Sequence, residues 1–200
     1  MVKRRTAQFT SRSIKTGMKA DGLRLAMSMV DLTTLEGKDS PEKVRALCAK
    51  ARNPAGGSGA LKRPVPPVAA VCVYPTLVRT AREALQGSDV KVAAVATGFP
   101  SGQYPLDVRL RDVADAVDAG AHEIDMVISR GLFLAGKFDE IRHEIRETKA
   151  ACRHAHLKII LETGELETLD NARRASDLAI EAAMSVPGAK PLEEIGRAHV

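Results

Sequence analysis

The sequence predicts an α/β protein built around a parallel β-sheet, and three observations lead to this prediction. Short apolar runs alternate with segments of helical periodicity from residue 25 onward. Some of these runs are almost continuously apolar, as at residues 68–73, which is typical of parallel strands covered by helices. The chain has 200 residues, 44% of them hydrophobic, which suits one domain with a core better than two domains.

The predicted elements alternate strictly along the chain. Five apolar runs are predicted to be strands, namely residues 25–32, 68–74, 90–97, 123–129 and 157–163. The first helix between them has a clear start, because Ser40 can cap its N-terminus and Pro41 fits its first helical position. Its inward face is predicted to comprise Val44, Leu47, Cys48 and Ala51. Two later helices show the same periodicity at residues 106–117 and 138–152.

The net charge of +5 is concentrated at the N-terminus. Residues 1–24 carry +6, which leaves −1 for the rest of the chain. The chain has two tyrosines, four phenylalanines and no tryptophan, so it lacks the aromatic surface of single-strand binders, and we predict no nucleic-acid partner. No apolar run approaches the roughly 20 residues of a membrane-spanning helix. We therefore predict a soluble protein without a membrane partner, whose basic segment is a tail or a leading helix.

The three cysteines are odd in number and widely spaced, at Cys48, Cys72 and Cys152. Neither a CxxC motif nor a Cys/His cluster is present, so neither a disulfide framework nor a structural zinc site is supported. The five histidines also lack convincing ligand spacing. We predict a cytoplasmic protein that needs no metal and no cofactor.

Two architectures fit the alternation of strands and helices: an open doubly wound sheet and a closed (β/α)₈ barrel. The sequence contains neither GxGxxG after the first strand nor GxxxxGK[ST], the common signatures of nucleotide-binding open sheets. Polar residues gather where the predicted strands end, namely Asp31, Thr33, Cys72, Thr97, Glu162 and Thr163. Such a rim is where barrels build active sites. This favours the barrel, although five strands are fewer than the eight that a barrel needs.

Two charged residues stand out within the apolar strands. Asp125 lies between Ile124 and Met126, and Lys158 lies between Leu157 and Ile159. A buried charge costs several kcal/mol unless it is paired or used, so each needs a partner. The two could form a structural salt bridge or an acid/base relay, and their spacing does not decide between these. Cys72 can point into the same interior, where a small core residue is the alternative to a functional thiol.

Five segments in order resemble the deoxyribose-phosphate aldolase family. They are MVDLTTL at 29–35, AAVCVYP at 69–75, VATGFPSGQ at 95–103, GAHEIDMVI at 120–128 and LKIILETGEL at 157–166. The resemblance covers about residues 25–183. It implies a TIM barrel of the class I aldolase type that reversibly cleaves 2-deoxy-D-ribose 5-phosphate into D-glyceraldehyde 3-phosphate and acetaldehyde. The implied partner is thus a small phosphorylated sugar, and no metal or cofactor is implied.

The resemblance also implies roles for individual residues. In this family a lysine on strand six forms a Schiff base, a lysine on strand seven lowers its pKa, and an aspartate on strand four relays protons. Asp125 matches the strand-four aspartate and is the candidate catalytic residue. Asp31 and Lys158 match polar positions lining the substrate pocket, and Cys72 matches a thiol near it.

The chain departs from the family pattern after the fifth helix. There the family has a short strand ending in a Lys-Thr-Ser-Thr-Gly-Lys type motif, whereas residues 182–191 read AAMSVPGAKP. The register places the Schiff-base position at Gly188, and Lys190 lies two residues away before a proline. We therefore assign no Schiff-base lysine in this chain. Residues 194–200 look like a translated sequencing adapter, and we exclude residues 195–200 from the fold.

These observations predict three regions. They are a basic N-terminal tail or leading helix at 1–24, an incomplete barrel of about five of eight β/α units at 25–183, and a divergent, non-native C-terminus at 184–200. Two hypotheses follow: the chain is the N-terminal part of an aldolase and is inactive by itself, or it is a non-catalytic fragment that acts as a binding or assembly partner. The adapter-like ending favours the first. Unpaired edge strands and an uncovered inner face predict association of the chain, as homo-oligomers or as aggregates.

Overall fold

A computed structural model of the protein describes residues 2–56 and 63–187, which form one parallel sheet, helices packed against it and two exposed N-terminal helices. The strands are β1 (Asp31–Thr33), β2 (Ala70–Val73), β3 (Lys91–Ala96), β4 (Glu123–Val127) and β5 (His156–Ile160). The helices are α1 (Val2–Thr10), α2 (Thr16–Met27), α3 (Pro41–Arg52), α4 (Val78–Ala84), α5 (Leu106–Asp118), α6 (Arg130–Leu134), α7 (Phe138–Ala151) and α8 (Leu169–Met184). Short 3₁₀ turns occupy Pro75–Leu77 and Thr163–Leu166.

The strand order is β1-β2-β3-β4-β5, and every neighbouring pair is parallel. A doubly wound sheet would reverse direction at a switch point, so this order is that of a barrel wound in one direction. The pairing register places Val95 beside Asp125 and Asp125 beside Lys158. The prediction of an incomplete α/β barrel is confirmed for the described residues.

The two faces of the sheet differ. The helices pack against the outer face, where buried side chains such as Val71, Val92 and Ile124 join them in one large core. The inner face carries a small cluster of Ala70, Cys72, Ala93 and Val95. We expected this inner face to be uncovered, which is wrong for that cluster, because all four residues are at most 2% exposed. The partly buried side chains of Leu35, Tyr74 and Phe99 pack against this cluster.

The first predicted strand, residues 25–32, is also partly wrong. Helix α2 extends to Met27, and β1 begins only at Asp31. The segment 23–27 reads LRLAM, and these residues favour helix, whereas the β-branched residue that favours a strand first appears at Val30. The other four strands begin within two residues of their predicted starts, and their predicted ends continue into the loops that follow.

The predicted start of α3 is confirmed. The Ser40 hydroxyl accepts a hydrogen bond from the Lys43 amide at 3.3 Å, and Pro41 occupies the first turn. Val44, Cys48 and Ala51 are fully buried, whereas Leu47 is half-buried. The cap fixes the direction in which α3 leaves the rim above β1.

The N-terminal helices contribute little to the core. Every residue from 3 to 20 is exposed, and α2 contains no buried residue. At the other end, α8 continues to Met184. The proposed Schiff-base register position Gly188, Lys190 and the adapter-like residues 195–200 lie outside the described residues. No helix among the described residues is long and apolar enough to cross a membrane.

Candidate active site

A cluster of four charged side chains occupies the inner face of the sheet. The Lys158 ammonium on β5 lies 2.7 Å from Asp31 Oδ2 on β1, 2.8 Å from Asp125 Oδ1 on β4 and 3.1 Å from Glu123 Oε2 on β4. The side chains of Lys158, Asp31 and Asp125 are 4%, 1% and 1% exposed. Strand alternation explains the grouping, because Glu123 and Asp125 are two residues apart and Asp125 pairs with Lys158 across the strands.

The three carboxylates determine the protonation state of Lys158. Burial acts to lower the pKa of its ammonium, but Asp125, Asp31 and Glu123 outweigh burial and raise the pKa above its ordinary value. Lys158 is therefore protonated at neutral pH, and a protonated amine cannot attack a carbonyl. The sequence left open whether Lys158 and Asp125 form a structural salt bridge or an acid/base relay. The structure shows a salt bridge between the Lys158 ammonium and the Asp125 carboxylate.

The Cys72 thiol lies beside this cluster. Its Sγ donates a hydrogen bond to Asp125 Oδ2 at 3.5 Å. Burial, followed by the negative charge of Asp125, raises the pKa of the thiol far above its ordinary value. Cys72 is thus a neutral thiol packed among small residues, and its contact with the cluster is the hydrogen bond to Asp125.

A cavity of about 350 Å³ opens at the carboxyl ends of the strands. Its wall comprises Thr33, Leu35, Cys72, Val95, Phe99, Pro100, Asp125, Val127, Ile160 and Glu162. Asp125 and Cys72 face this space directly. Asp31 and Lys158 precede the lining residues Thr33 and Ile160 by two positions, so they lie one layer deeper in the barrel. Asp125 therefore connects the buried cluster to the cavity.

An arginine connects two of the residues that line the cavity, Pro100 and Glu162. Both terminal nitrogens of Arg130 donate to the Pro100 carbonyl at 3.3 Å, and the same guanidinium forms an ion pair with Glu162 at 2.5 Å. Pro100 follows β3 and Glu162 follows β5, so Arg130 connects two rim loops. This bridge joins two loops that each contribute a residue to the cavity wall.

Sequence reasoning missed Glu123 as the third partner of Lys158. It also missed a buried ion pair at the rim, in which Arg109 donates to Glu144 Oε2 at 2.7 Å. A signal for both was present. Glu123 has the same strand parity as Asp125, and Arg109 and Glu144 occupy apolar faces of their helices. A charged residue on an apolar helix face has the same need for a partner as one in an apolar strand.

Among residues 2–56 and 63–187, no group of three or more His, Cys, Asp or Glu side chains has an arrangement that could hold a metal ion. The three carboxylates that approach one another are occupied by the Lys158 ammonium. Asp125, which lines the cavity, can transfer a proton to a bound molecule or accept a hydrogen bond from it.

Comparison with known proteins identifies the family. Residues 25–188 match the sequence model of the DeoC/LacD family of aldolases. The chain belongs to this family. Human deoxyribose-phosphate aldolase is 44% identical over 188 residues, which cover 90% of this chain and 59% of the relative. A putative deoxyribose-phosphate aldolase of Caenorhabditis elegans is 41% identical over 164 residues, covering 81% of this chain and 52% of the relative. The resemblance predicted from the five motifs is confirmed.

Solved structures agree with the family. A putative deoxyribose-phosphate aldolase from Toxoplasma gondii superimposes with a TM-score of 0.70 at 25% identity, covering 84% of this chain and 61% of that structure. One from Coccidioides immitis gives a TM-score of 0.67 at 28% identity, covering 80% of this chain and 57% of that structure. The chain thus spans about three fifths of the length of the first curated relatives that it matches.

Proposed function

We propose that the chain supplies the proton-transfer side of an aldolase site that cleaves 2-deoxy-D-ribose 5-phosphate into D-glyceraldehyde 3-phosphate and acetaldehyde. The observation that carries the proposal is the position of Asp125, which contacts a buried ammonium on one side and faces the cavity on the other. Family membership and the names of the curated relatives give the substrate class.

The cavity suits a small substrate. Its volume of about 350 Å³ is near the lower end of the roughly 300 to 1,000 Å³ of small-molecule sites, which is adequate for a pentose phosphate. Asp125 and Glu162 can accept hydrogen bonds from sugar hydroxyls, while Val95 and Phe99 provide an apolar wall. This mixture fits a compact polyol with a hydrocarbon face.

Cleavage of an aldol requires removal of a proton from the hydroxyl whose carbon becomes an aldehyde. We assign this step to Asp125, since its carboxylate faces the cavity and Lys158 fixes its orientation at 2.8 Å. A neighbouring ammonium weakens the basicity of a carboxylate. Here Asp31 and Glu123 also pair with Lys158 and offset its charge, so Asp125 is not made a poor base. Asp31 and Lys158 act as positioning residues in this assignment.

The amine that forms the Schiff base is not Lys158 in this proposal, because its carboxylate partners keep it protonated. The electron-accepting iminium must then form on a lysine that the first five β/α units do not supply. The family places that lysine on strand six. Since the chain spans 59% of the human relative, we propose that the remainder of a longer barrel provides this lysine and the phosphate loops. By itself the chain is then inactive.

A completed barrel tests the proposal. Residues 1–183 are joined to the C-terminal remainder of the human relative, and cleavage of 2-deoxyribose 5-phosphate is followed by reduction of the released aldehydes. We expect the completed protein to cleave the sugar and the chain alone to leave it intact. A matched control carries Glu147→Gln, an exposed change on α7 that should leave activity unaltered. A completed protein that unfolds cooperatively yet releases no aldehyde would contradict the assignment.

A further inference from the structure

The loop after β3 begins with two residues in the left-handed region. Thr97 has φ 62° and Gly98 has φ 73°. Glycine adopts this conformation freely, but a β-branched threonine does so only at an energetic cost and where its surroundings impose it. Something in the structure must therefore hold this segment.

Two side chains of α5 bind both polar atoms of a single peptide group. Arg109 Nε donates to the Thr97 carbonyl oxygen at 3.1 Å, and Asp112 Oδ2 accepts from the Gly98 amide at 3.3 Å. Arg109 and Asp112 are three residues apart, so they project from the same side of the helix. Together they fix the orientation of the Thr97–Gly98 peptide plane, because neither bond survives its rotation.

The arginine is itself rigidly held. Its terminal nitrogens donate to Glu144 Oε2 at 2.7 Å, to Ser129 Oγ at 2.8 Å and to the Val127 carbonyl at 2.8 Å. The Arg109 and Glu144 side chains are 3% and 6% exposed. We call Arg109 and Asp112, which bind the Thr97–Gly98 peptide, the peptide clamp. Its arginine is held by α7 and the end of β4, which form part of the buried core.

The clamped peptide sets the position of the next residue, Phe99. Phe99 and Val95 line both the candidate active-site cavity and a second cavity of about 310 Å³ beside α5. Tyr74 and Tyr104 also line the second cavity. Phe99 is thus part of the wall of both cavities, so a change in its position alters both.

We propose that Arg109 and Asp112 are positioning residues that fix the Thr97–Gly98 peptide, and that through it they hold Phe99 as the wall which limits the substrate cavity. The inference rests on the proposed function only in treating that cavity as the substrate site. The size of substrate that the cavity admits is then determined by a helix that does not itself contact the substrate.

The two tyrosines of the chain are natural reporters of this loop. Tyr74 meets Phe99 edge to face with 6.2 Å between ring centroids. The ring of Tyr104 lies so close to Gly98 that an added Cβ would be 2.5 Å from its Cδ2 atom. Since the sequence contains only these two tyrosines and no tryptophan, labelling with 3-fluorotyrosine gives two ¹⁹F resonances, one for each side of the clamp.

The test compares two substitutions at Asp112 in the labelled chain without substrate. Asp112→Ala removes the acceptor, and we expect both ¹⁹F resonances to shift or broaden and the Gly98 amide to exchange roughly tenfold faster, the ratio that a hydrogen bond of ordinary net strength supports. Asp112→Asn retains an acceptor oxygen and should preserve both resonances and the exchange rate. Asp115→Ala, an exposed change one turn along α5, is the matched control and should alter neither.

Unchanged resonances and unchanged Gly98 exchange in Asp112→Ala would overturn the proposal. So would an Asp112→Asn variant that behaves like Asp112→Ala, because the acceptor oxygen would then not be what matters. If Asp112→Ala fails to fold, Asp112→Leu fills the space without an acceptor and must give the same loss. No step uses the sugar, so these outcomes are independent of whether the completed barrel cleaves it.

Discussion

Replacing Lys158 by methionine removes the only cation from the buried cluster and leaves three carboxylates facing one another. Methionine retains much of the side-chain volume, so the change is mainly electrostatic. Loss of one partner from a buried ion pair costs about 3 to 5 kcal/mol, since it leaves an uncompensated buried charge. The Asp31 and Asp125 side chains are 1% exposed, which puts this cluster within that class.

We therefore expect Lys158→Met to lower the free energy of unfolding by about 3 to 5 kcal/mol at pH 7. For a chain of this size the corresponding fall in melting temperature is about 6 to 20 °C. Urea denaturation followed by far-UV circular dichroism measures the loss. Lys91→Met, at an exposed lysine that begins β3, is the matched control and should change stability by less than about 0.5 kcal/mol.

The pH dependence identifies the loss as electrostatic. In the variant the carboxylates repel one another and bind protons more readily than in the unfolded chain, so the deficit should shrink as the pH falls from 7 to about 4. In the native protein the pKa of Lys158 is raised. Its stabilising contribution is therefore complete below the ordinary lysine pKa of 10.5 and is lost only as the pH rises through the higher folded-state value. A Lys158→Met variant as stable as Lys91→Met at pH 7, or a deficit equal at pH 7 and pH 4, would refute this reasoning.

Other changes test the remaining features. Glu144→Ala leaves the Arg109 guanidinium buried without its carboxylate and should lower the free energy of unfolding by about 3 to 5 kcal/mol in urea denaturation. Glu147→Ala, on the exposed side of the same helix, should lower it little, and equal losses in the two variants would contradict the buried pair. Asp125→Asn in the completed barrel should fold normally and lower kcat by about 10² to 10⁴, and near-native turnover would remove Asp125 from the proton-transfer role. Deleting residues 1–20 should lower the isoelectric point, remove only the helical circular dichroism signal of α1 and the start of α2, and preserve Tm, because residues 3–20 are all exposed. Loss of folded protein would show that the segment is part of the barrel.

The sequence predicted the sheet well because parallel strands buried on both faces leave nearly continuous apolar runs. The pairing of Asp125 with Lys158 was also predictable, since each is a lone charge in such a run. The start of the first strand was misplaced, because the end of α2 lies within the predicted strand. No residue of α2 is buried, so its sequence lacks a core-facing side that would distinguish this helix from a strand. Periodicity alone does not separate a short helix from a strand there.

The contacts that complete the site depend on three-dimensional curvature. Asp31 and Lys158 are 127 residues apart, and they meet only because five strands bend far enough to bring the first opposite the last. The arginine network at the rim has the same origin, since Arg109 and Glu144 come from two helices that converge beyond the ends of β3 and β4. Local patterns could mark each residue as needing a partner, but only the fold identifies the partner.

The central claim is that Lys158 holds Asp125 in place and does not form the Schiff base. Reduction with sodium borohydride in the presence of 2-deoxyribose 5-phosphate, followed by peptide mass spectrometry, tests it directly. We expect no stoichiometric adduct on Lys158 or Lys190 in this chain, and an adduct in the completed barrel that maps to a lysine of the added segment. A stoichiometric reduced adduct on Lys158 would contradict the account, since an amine held protonated by three carboxylates cannot form it; one on Lys190 would show that the chain carries its own nucleophile.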